Sequence, residues 1–387
     1  MRILMVLTYY RPHTSGLTIY VERLSKALVT QGHRVTVLTS RFDQSTPVEE
    51  TVDGVTIIRA PVAVRISKGV IMPTFGLKAL RLIKEHDVVH LHLPQFDAAV
   101  VAFLARINGV PNVITYHCDL DLPKGLFNRI ANFSIHVMNR LAASFTNRFV
   151  AYTEDFAQNS PFLKAHANKL TVISPPVTLP AASESDKESF AENHDLADYY
   201  PVIGMATRFA TEKGVEVLLN ALPQVSGPFP NFKVLYAGTY QHVMGEEDYF
   251  DRLYPIIREY EQKGQWTFLG NLTPSEMAVL YPNLDMLVVP SLNSTESFGL
   301  VQIEAMINGT PCIASNLPGV RQPVIRHEMG EVIPIGDHNA LARAIIDIAN
   351  NPGDYIKDPE PIRERYEPVV IAKKYEQVYR ALIDETS

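Results

Sequence analysis

Short apolar runs separated by helix-length amphipathic stretches recur along almost all of this 387-residue chain. The runs at Arg2–Leu7, Arg34–Thr39, Val55–Arg59, Val88–Leu91, Asn112–Thr115, Arg148–Tyr152 and Leu170–Ile173 have strand length. They are apolar with little polar alternation, as parallel strands covered on both faces are. Leu17–Gln31 and Phe96–Asn108 supply helical periodicity between them. From Thr178 to Tyr200 the pattern lapses into a polar stretch with no apolar period, which is expected to be a linker. Strands then resume at Val202–Met205, Lys233–Gly238, Thr267–Leu272, Asp285–Pro290 and Thr310–Ala314, with a helix at Val215–Ala221. The pattern predicts two α/β domains built on parallel sheets, 1–178 and 179–364. An amphipathic helix, Ile371–Ile383, lies within the terminal segment 365–387. Ligands of such sheets bind beyond the carboxyl ends of the strands, so candidate residues are sought there.

The totals narrow the setting. Cys118 and Cys312 are far apart and in no metal-ligand spacing, which fits buried thiols in a reducing compartment. The opening MRILMVLTYY is a strand rather than a secretory signal. No run approaches the roughly 18 to 20 apolar residues of a membrane span. A cytoplasmic protein, at most peripheral to a membrane, is expected, with no nucleic acid among its partners. Residues 1–178 hold 19 Lys and Arg against 12 Asp and Glu, a formal +7. The remainder holds 16 against 30, a formal −14, which together make the −7 of the whole chain. The positive half carries two stretches where cations and apolar residues mix. One is Val64–Lys84, with Val70, Ile71, Met72 and Phe75; the other is Lys124–Arg148, with Leu126, Phe127, Ile130 and Phe133. Cations with apolar anchors suit an anionic lipid surface.

Several strand ends carry candidate side chains. Thr14-Ser15-Gly16 opens a helix with a small turn that lets backbone approach a ligand. His90 and His92 share a strand face, but no third ligand is evident and no metal site is assigned. His117 ends another strand, and Asp119-Leu120-Asp121 follows as two acids in a turn. In the second half, Arg208 and Lys213 sit at a strand end and helix start, where a guanidinium fork and an ammonium can hold a diphosphate. Gly238 and Tyr240 end the next strand and are expected to face the same crevice. The stretch PSLNSTESFGLVQIEAMINGTPCIAS, from Pro290 to Ser315, concentrates most chemistry. A helix is expected to start near Ser297 to Gly299 and to stop at Gly309. Glu296 and Glu304 frame its start with seven residues between them. Unpaired N–H groups at a helix start suit a diphosphate. Carboxylates beside it suit hydroxyls, and the combination describes a nucleotide-sugar pocket.

The order strand, loop, Glu296, Ser-Phe-Gly, helix with Glu304, Gly-Thr-Pro, strand resembles the E-x7-E region of family 4 retaining glycosyltransferases. Arg208 to Gly214 resembles that family's R-x4-K-G segment, and His117 matches its strand-end histidine. The resemblance implies the GT-B fold: two Rossmann-like domains facing each other across a cleft, the acceptor on the first and the donor on the second, with the last helix returning to the first. It implies transfer of a hexose, with retention, from a UDP- or GDP-sugar to an acceptor hydroxyl, without a metal or other cofactor. By the same resemblance Glu304 binds ribose hydroxyls and Glu296 the sugar ring. Arg208, Lys213 and the Gly299–Leu300 backbone hold the diphosphate, and Phe298 belongs to the donor site. His117 reaches the sugar, Asn271 and Leu272 lie where relatives pair backbone with the base, and Gly16 and Gly238 line the donor site. Ser15 stands where the family carries the first of two glycines. Many relatives have an acid at the place of Gln322, and the Pro318–Gln322 loop is given no role. The acceptor is left open between a membrane lipid, a lipid-linked glycan and a soluble sugar or sugar phosphate. A non-catalytic nucleotide-sugar-binding relative is the alternative; a sugar-nucleotide epimerase does not pair E-x7-E with R-x4-K-G. A nicotinamide dehydrogenase would need G-x-G-x-x-G after the first strand, and none is present.

Overall fold

The computed structural model describes residues 1–66, 69–120 and 126–386. Its contacts divide the chain into two compact units, Met1–Pro176 with Tyr366–Ser387, and Val177–Arg365. The second unit therefore interrupts the first in sequence.

The first unit is built on strands β1 Arg2–Val6, β2 Arg34–Arg41, β3 Glu49–Val52, β4 Val55–Pro61, β7 Val88–Leu93, β8 Asn112–Tyr116, β9 Arg148–Ala151 and β10 Leu170–Val172. A separate hairpin is formed by β5 Val64–Ile66 and β6 Gly69–Ile71. The large sheet runs β10-β9-β8-β7-β1-β2-β4-β3, parallel throughout except for the edge strand β3. Every residue of β7 and β8 is buried, the consequence of helices on both faces. Strand order reverses between β1 and β7, so the carboxyl ends of β1, β7 and β8 surround this sheet's switch point. The last helix, Pro368–Thr386, packs on the helix Gly16–Thr30. Gln31 Nε2 donates to the Val369 carbonyl at 2.8 Å, and the hydroxyls of Tyr20 and Tyr375 bond each other inside.

The second unit contains β11 Val202–Ala206, β12 Lys233–Ala237, β13 Trp266–Gly270, β14 Met286–Val289, β15 Cys312–Ser315 and β16 Gly330–Ile333, all parallel. Their order, β13-β12-β11-β14-β15-β16, is 3-2-1-4-5-6 counted within the unit, the order of a dinucleotide-type sheet. Its switch point lies between β11 and β14. The helices Val215–Val225 and His338–Asn350 pack together on it, closing a core that includes Phe209, Leu218, Tyr236 and Ile345.

Three local readings of the sequence are revised. The expected linker contains the helix Glu184–Asn193, none of whose residues is buried. A helix without an apolar face shows no period; this one starts on Ser183, whose side chain accepts the Asp186 N–H at 3.1 Å. The helix after Glu296 is shorter than predicted, Leu300–Met306. Gly299 lies at φ +76°, outside helical geometry, and Gly309 follows the far end at φ +84°. The short strands β3 and β16 and the β5–β6 hairpin were absent from the sequence reading.

Candidate functional site

The cationic turn after β11 is shaped from below by Phe209. Its ring is fully buried and its N–H donates to Thr239 O at 2.7 Å, which leaves the neighbouring Arg208 exposed. Thr211 accommodates the turn by donating both its N–H and its hydroxyl to Glu246, at 2.9 and 2.8 Å. Lys213 ends the short 3-10 helix Thr211–Lys213, and Gly214 follows at φ +72°. A Cβ on Gly214 would sit 2.1 Å from the Pro290 carbonyl, so glycine permits this turn to touch the end of β14. A bond from Leu292 N–H to Glu212 O, 2.9 Å, fixes the two loops together.

That contact delivers Lys213 to Glu296. The ammonium Nζ lies 2.6 Å from Glu296 Oε2, with the side chains 16% and 22% exposed. The other oxygen of Glu296 accepts the Gly299 N–H at 3.1 Å. One of the donors expected to meet a diphosphate is thus held by Glu296 in this state. Three candidates separated by 83 and 3 residues are joined in one chain of bonds at the switch point. Arg208 pairs with Glu212, four residues on.

The remaining donor-side candidates are distributed around these two loops. Glu304 is buried in the second turn of its helix, and its Oε2 accepts the Tyr281 hydroxyl at 2.9 Å. Phe298 is 2% exposed and belongs to the core, so only its backbone can serve a ligand. Leu300 is half-buried. Gly238, at φ +136°, has a packing reason: a Cβ there would meet the Thr207 carbonyl at 2.1 Å. Tyr240 stacks on Phe268 with centroids 4.0 Å apart rather than standing free. Asn271 is exposed after β13, accepting the Thr239 hydroxyl at 2.8 Å, and Leu272 is half-buried.

In the first unit, Gly16 is exposed at the start of its helix, whose cap Ser15 accepts the Thr18 N–H at 3.2 Å. His117 follows β8 with its N–H on Leu93 O at 2.9 Å, and it is 7% exposed. Both ring nitrogens are engaged, Nδ1 with the Tyr152 hydroxyl and Nε2 with His92 Nδ1 at 3.0 Å. His90 joins Tyr379 and Thr115, each at 2.7 Å, and Thr115 joins Tyr375 at 3.0 Å. Burial pushes His90 and His117 down to about 3 and His92 well below its ordinary range, so all three are neutral. The two strand histidines are thus members of a hydrogen-bonded network. Among the described residues no three His, Cys, Asp or Glu side chains form a metal-holding group. Asp119 accepts from Tyr116 and Ser160, each at 2.8 Å, while Asp121 lies outside the described residues.

The proposed lipid-facing stretches are partly corrected. Val70, Met72 and Phe75 are 8%, 5% and 1% exposed, because the hairpin and the helix Phe75–Ile83 turn them into the core. Ile71 and Phe133 are exposed. Lys68 and Lys124 lie outside the described residues, as do the side chains of Leu126, Phe127 and Ile130. The sequence reading missed Leu77, Val100, Phe103, Ile107, Val137 and Leu141, all exposed on the helices Phe75–Ile83, Ala98–Ile107 and Leu126–Phe145. Their three- and four-residue spacing could have revealed an outward stripe as well as an inward one. It also missed Tyr152 and Tyr281, which no local spacing marks, and Glu212, which the i,i+4 relation to Arg208 does mark.

Comparison with known proteins identifies the family. Residues 14–179 match the family described as Glycosyltransferase Family 4, and residues 186–366 the one described as Glycosyl transferases group 1. The chain is 26% identical over 397 residues to the phosphatidyl-myo-inositol mannosyltransferase of Mycolicibacterium smegmatis, covering 99% of this chain and 94% of that protein. It is 27% identical over 408 residues to the glycogen synthase of Mycobacterium tuberculosis, covering 98% and 95%. Anabaena HepE, solved in complex with UDP and glucose, superposes with a TM-score of 0.79 at 21% identity, over 99% of this chain and all of that one. The last likeness shows the fold, GT-B.

Proposed function

The chain belongs to the family 4, group 1 glycosyltransferases, and from that premise we propose that it moves a hexose, with retention, from a UDP- or GDP-sugar to a lipid or lipid-linked acceptor hydroxyl. The observation carrying the donor site is the Lys213–Glu296 contact at the β11–β14 switch point. In this reading the diphosphate takes Lys213 and Arg208, and its arrival releases Glu296 to the sugar hydroxyls. Lys213 and Arg208 stabilise the charge that grows on the leaving phosphate as the glycosidic bond breaks. They take the part a metal plays elsewhere, so no metal is required. Glu304, oriented by Tyr281, holds the ribose. His117 is assigned to the sugar.

A lipid acceptor is supported by the outer surface of the first unit. The helices Phe75–Ile83, Ala98–Ile107 and Leu126–Phe145 contain Lys78, Arg81, Arg106, Arg129 and Arg140 and no acid. Leu77 and Phe133 on them are 72% and 71% exposed. The docking proposed is peripheral, on the cytoplasmic face; among the described residues no helix is long and apolar enough to cross a membrane. HepE was solved with UDP, and one relative's name includes phosphatidyl-myo-inositol; both favour the reading. A melting-temperature screen against nucleotide sugars tests it, since a ligand of the native state raises stability. One base should stabilise the wild type and fail to stabilise Lys213→Ala. No shift with any nucleotide sugar would count against the donor site.

A further inference from the structure

Arg208 does not stand over its loop as a lone cation. Its Nη2 donates to Oε1 of Glu212, the residue immediately before Lys213. The arginine side chain is 44% exposed and the glutamate 14%, so the acid lies on the inner side of the pair. The carbonyl of Glu212 separately accepts the Leu292 N–H at 2.9 Å, locking its backbone to the loop that carries Glu296. Each cation assigned to the diphosphate therefore has its own carboxylate, Glu296 for Lys213 and Glu212 for Arg208. Glu296 has hydroxyls to bind once the donor arrives. Glu212 has no such duty, yet it places a negative charge beside an anion site, which lowers affinity for that anion.

We propose that Glu212 is a positioning residue that aims Arg208 and whose charge holds down the affinity for the nucleoside diphosphate product, so that the product leaves. The proposal rests on the reading that Arg208 and Lys213 hold the diphosphate. Transfer breaks the bond from the anomeric carbon to the terminal phosphate oxygen and forms one from that carbon to the acceptor oxygen, whose proton passes to the freed phosphate; near neutral pH that phosphate then loses the proton to solvent and carries a second charge. The product is thus more anionic than the donor, and two cations alone would hold it more tightly than the substrate. A fixed carboxylate opposes the product more strongly than the donor.

The test is calorimetric titration of UDP and GDP into wild type, Glu212→Gln, Glu212→Asp and Arg208→Ala, with turnover measured alongside. Glutamine keeps the volume and an oxygen for Arg208, and the Leu292 bond involves backbone only. The Gln variant should therefore bind the cognate diphosphate more tightly, on the order of tenfold for one nearby charge in partly exposed surroundings. Its kcat should fall as release slows. The Asp variant keeps the charge but shortens the reach, so it should not bind more tightly. A merely structural Glu212 would weaken binding in both variants. Unchanged or weaker diphosphate binding in the Gln variant, beside weakened binding in Arg208→Ala, overturns the role of Glu212 alone. Wild-type binding in Arg208→Ala overturns the diphosphate reading and this proposal with it.

Discussion

Replacing Lys213 with alanine removes one member of a pair that is neither exposed nor deeply buried. The ammonium is 2.6 Å from Glu296, and the two side chains are 16% and 22% exposed. Fully exposed pairs contribute up to about 1 kcal/mol, whereas breaking a buried pair costs about 3–5 kcal/mol. Glu296 retains its bond from Gly299 N–H at 3.1 Å and some solvent access, which sets the expected loss at about 1–2 kcal/mol. For a domain of this size that lowers Tm by only a few degrees. The catalytic loss should be larger. A preorganised charge aimed at a developing oxyanion contributes about 2–4 kcal/mol, so kcat should fall roughly a hundredfold to a thousandfold. The assay is single-turnover transfer from a saturating donor, with Tm recorded on the same preparation. A cooperatively folded variant with near-wild-type kcat would refute the assignment of Lys213 to the leaving group. A variant that melts far below wild type would refute the energetic argument instead.

Transfer should survive EDTA, because Arg208 and Lys213 supply the positive charge; strict dependence on added magnesium or manganese would contradict that. Acid should destabilise the first unit through His90, His92 and His117. All three are depressed from 6.5, two of them to about 3, so between those pH values the unfolded chain binds more protons than the native one. Stability is then whole above pH 6.5 and falls as pH drops, approaching about 4 kcal/mol per pH unit for three sites. A Tm that stays level from pH 6.5 to 4.5 would show that the histidines titrate normally. Sedimentation with liposomes should rise with anionic lipid, fall with salt, and weaken in Phe133→Ser or Arg140→Glu. No binding at low salt would redirect the acceptor to a soluble, phosphorylated sugar drawn by the same positive field.

The main strands were legible because both faces of each sheet are covered, which turns β7, β8 and β12 into fully buried, mostly apolar runs. The positions of Arg208, Lys213 and Glu296 were legible as strand-end residues. What they bond was not, since Lys213 and Glu296 are 83 residues apart and meet only because β11 and β14 are neighbours. The same holds for Tyr152 against His117 and for Tyr281 against Glu304, pairs created by strand order and helix packing. Glu184–Asn193 escaped for a different reason: a helix polar on every side carries no period to detect. Gly238 was assigned to a ligand from its place after β12, whereas the approach of the Thr207 carbonyl already requires a glycine there.

The most direct measurement is transfer itself. The purified chain would be given each isotopically labelled UDP- and GDP-hexose in EDTA, with anionic liposomes containing a lipid acceptor extract. The product's anomeric configuration would be read by NMR. Label should enter the lipid phase from one nucleotide class, with the donor's configuration retained and roughly a hundredfold less product, or lower still, from Lys213→Ala. An inverted product, or no transfer to any acceptor from a donor shown to bind, would contradict it.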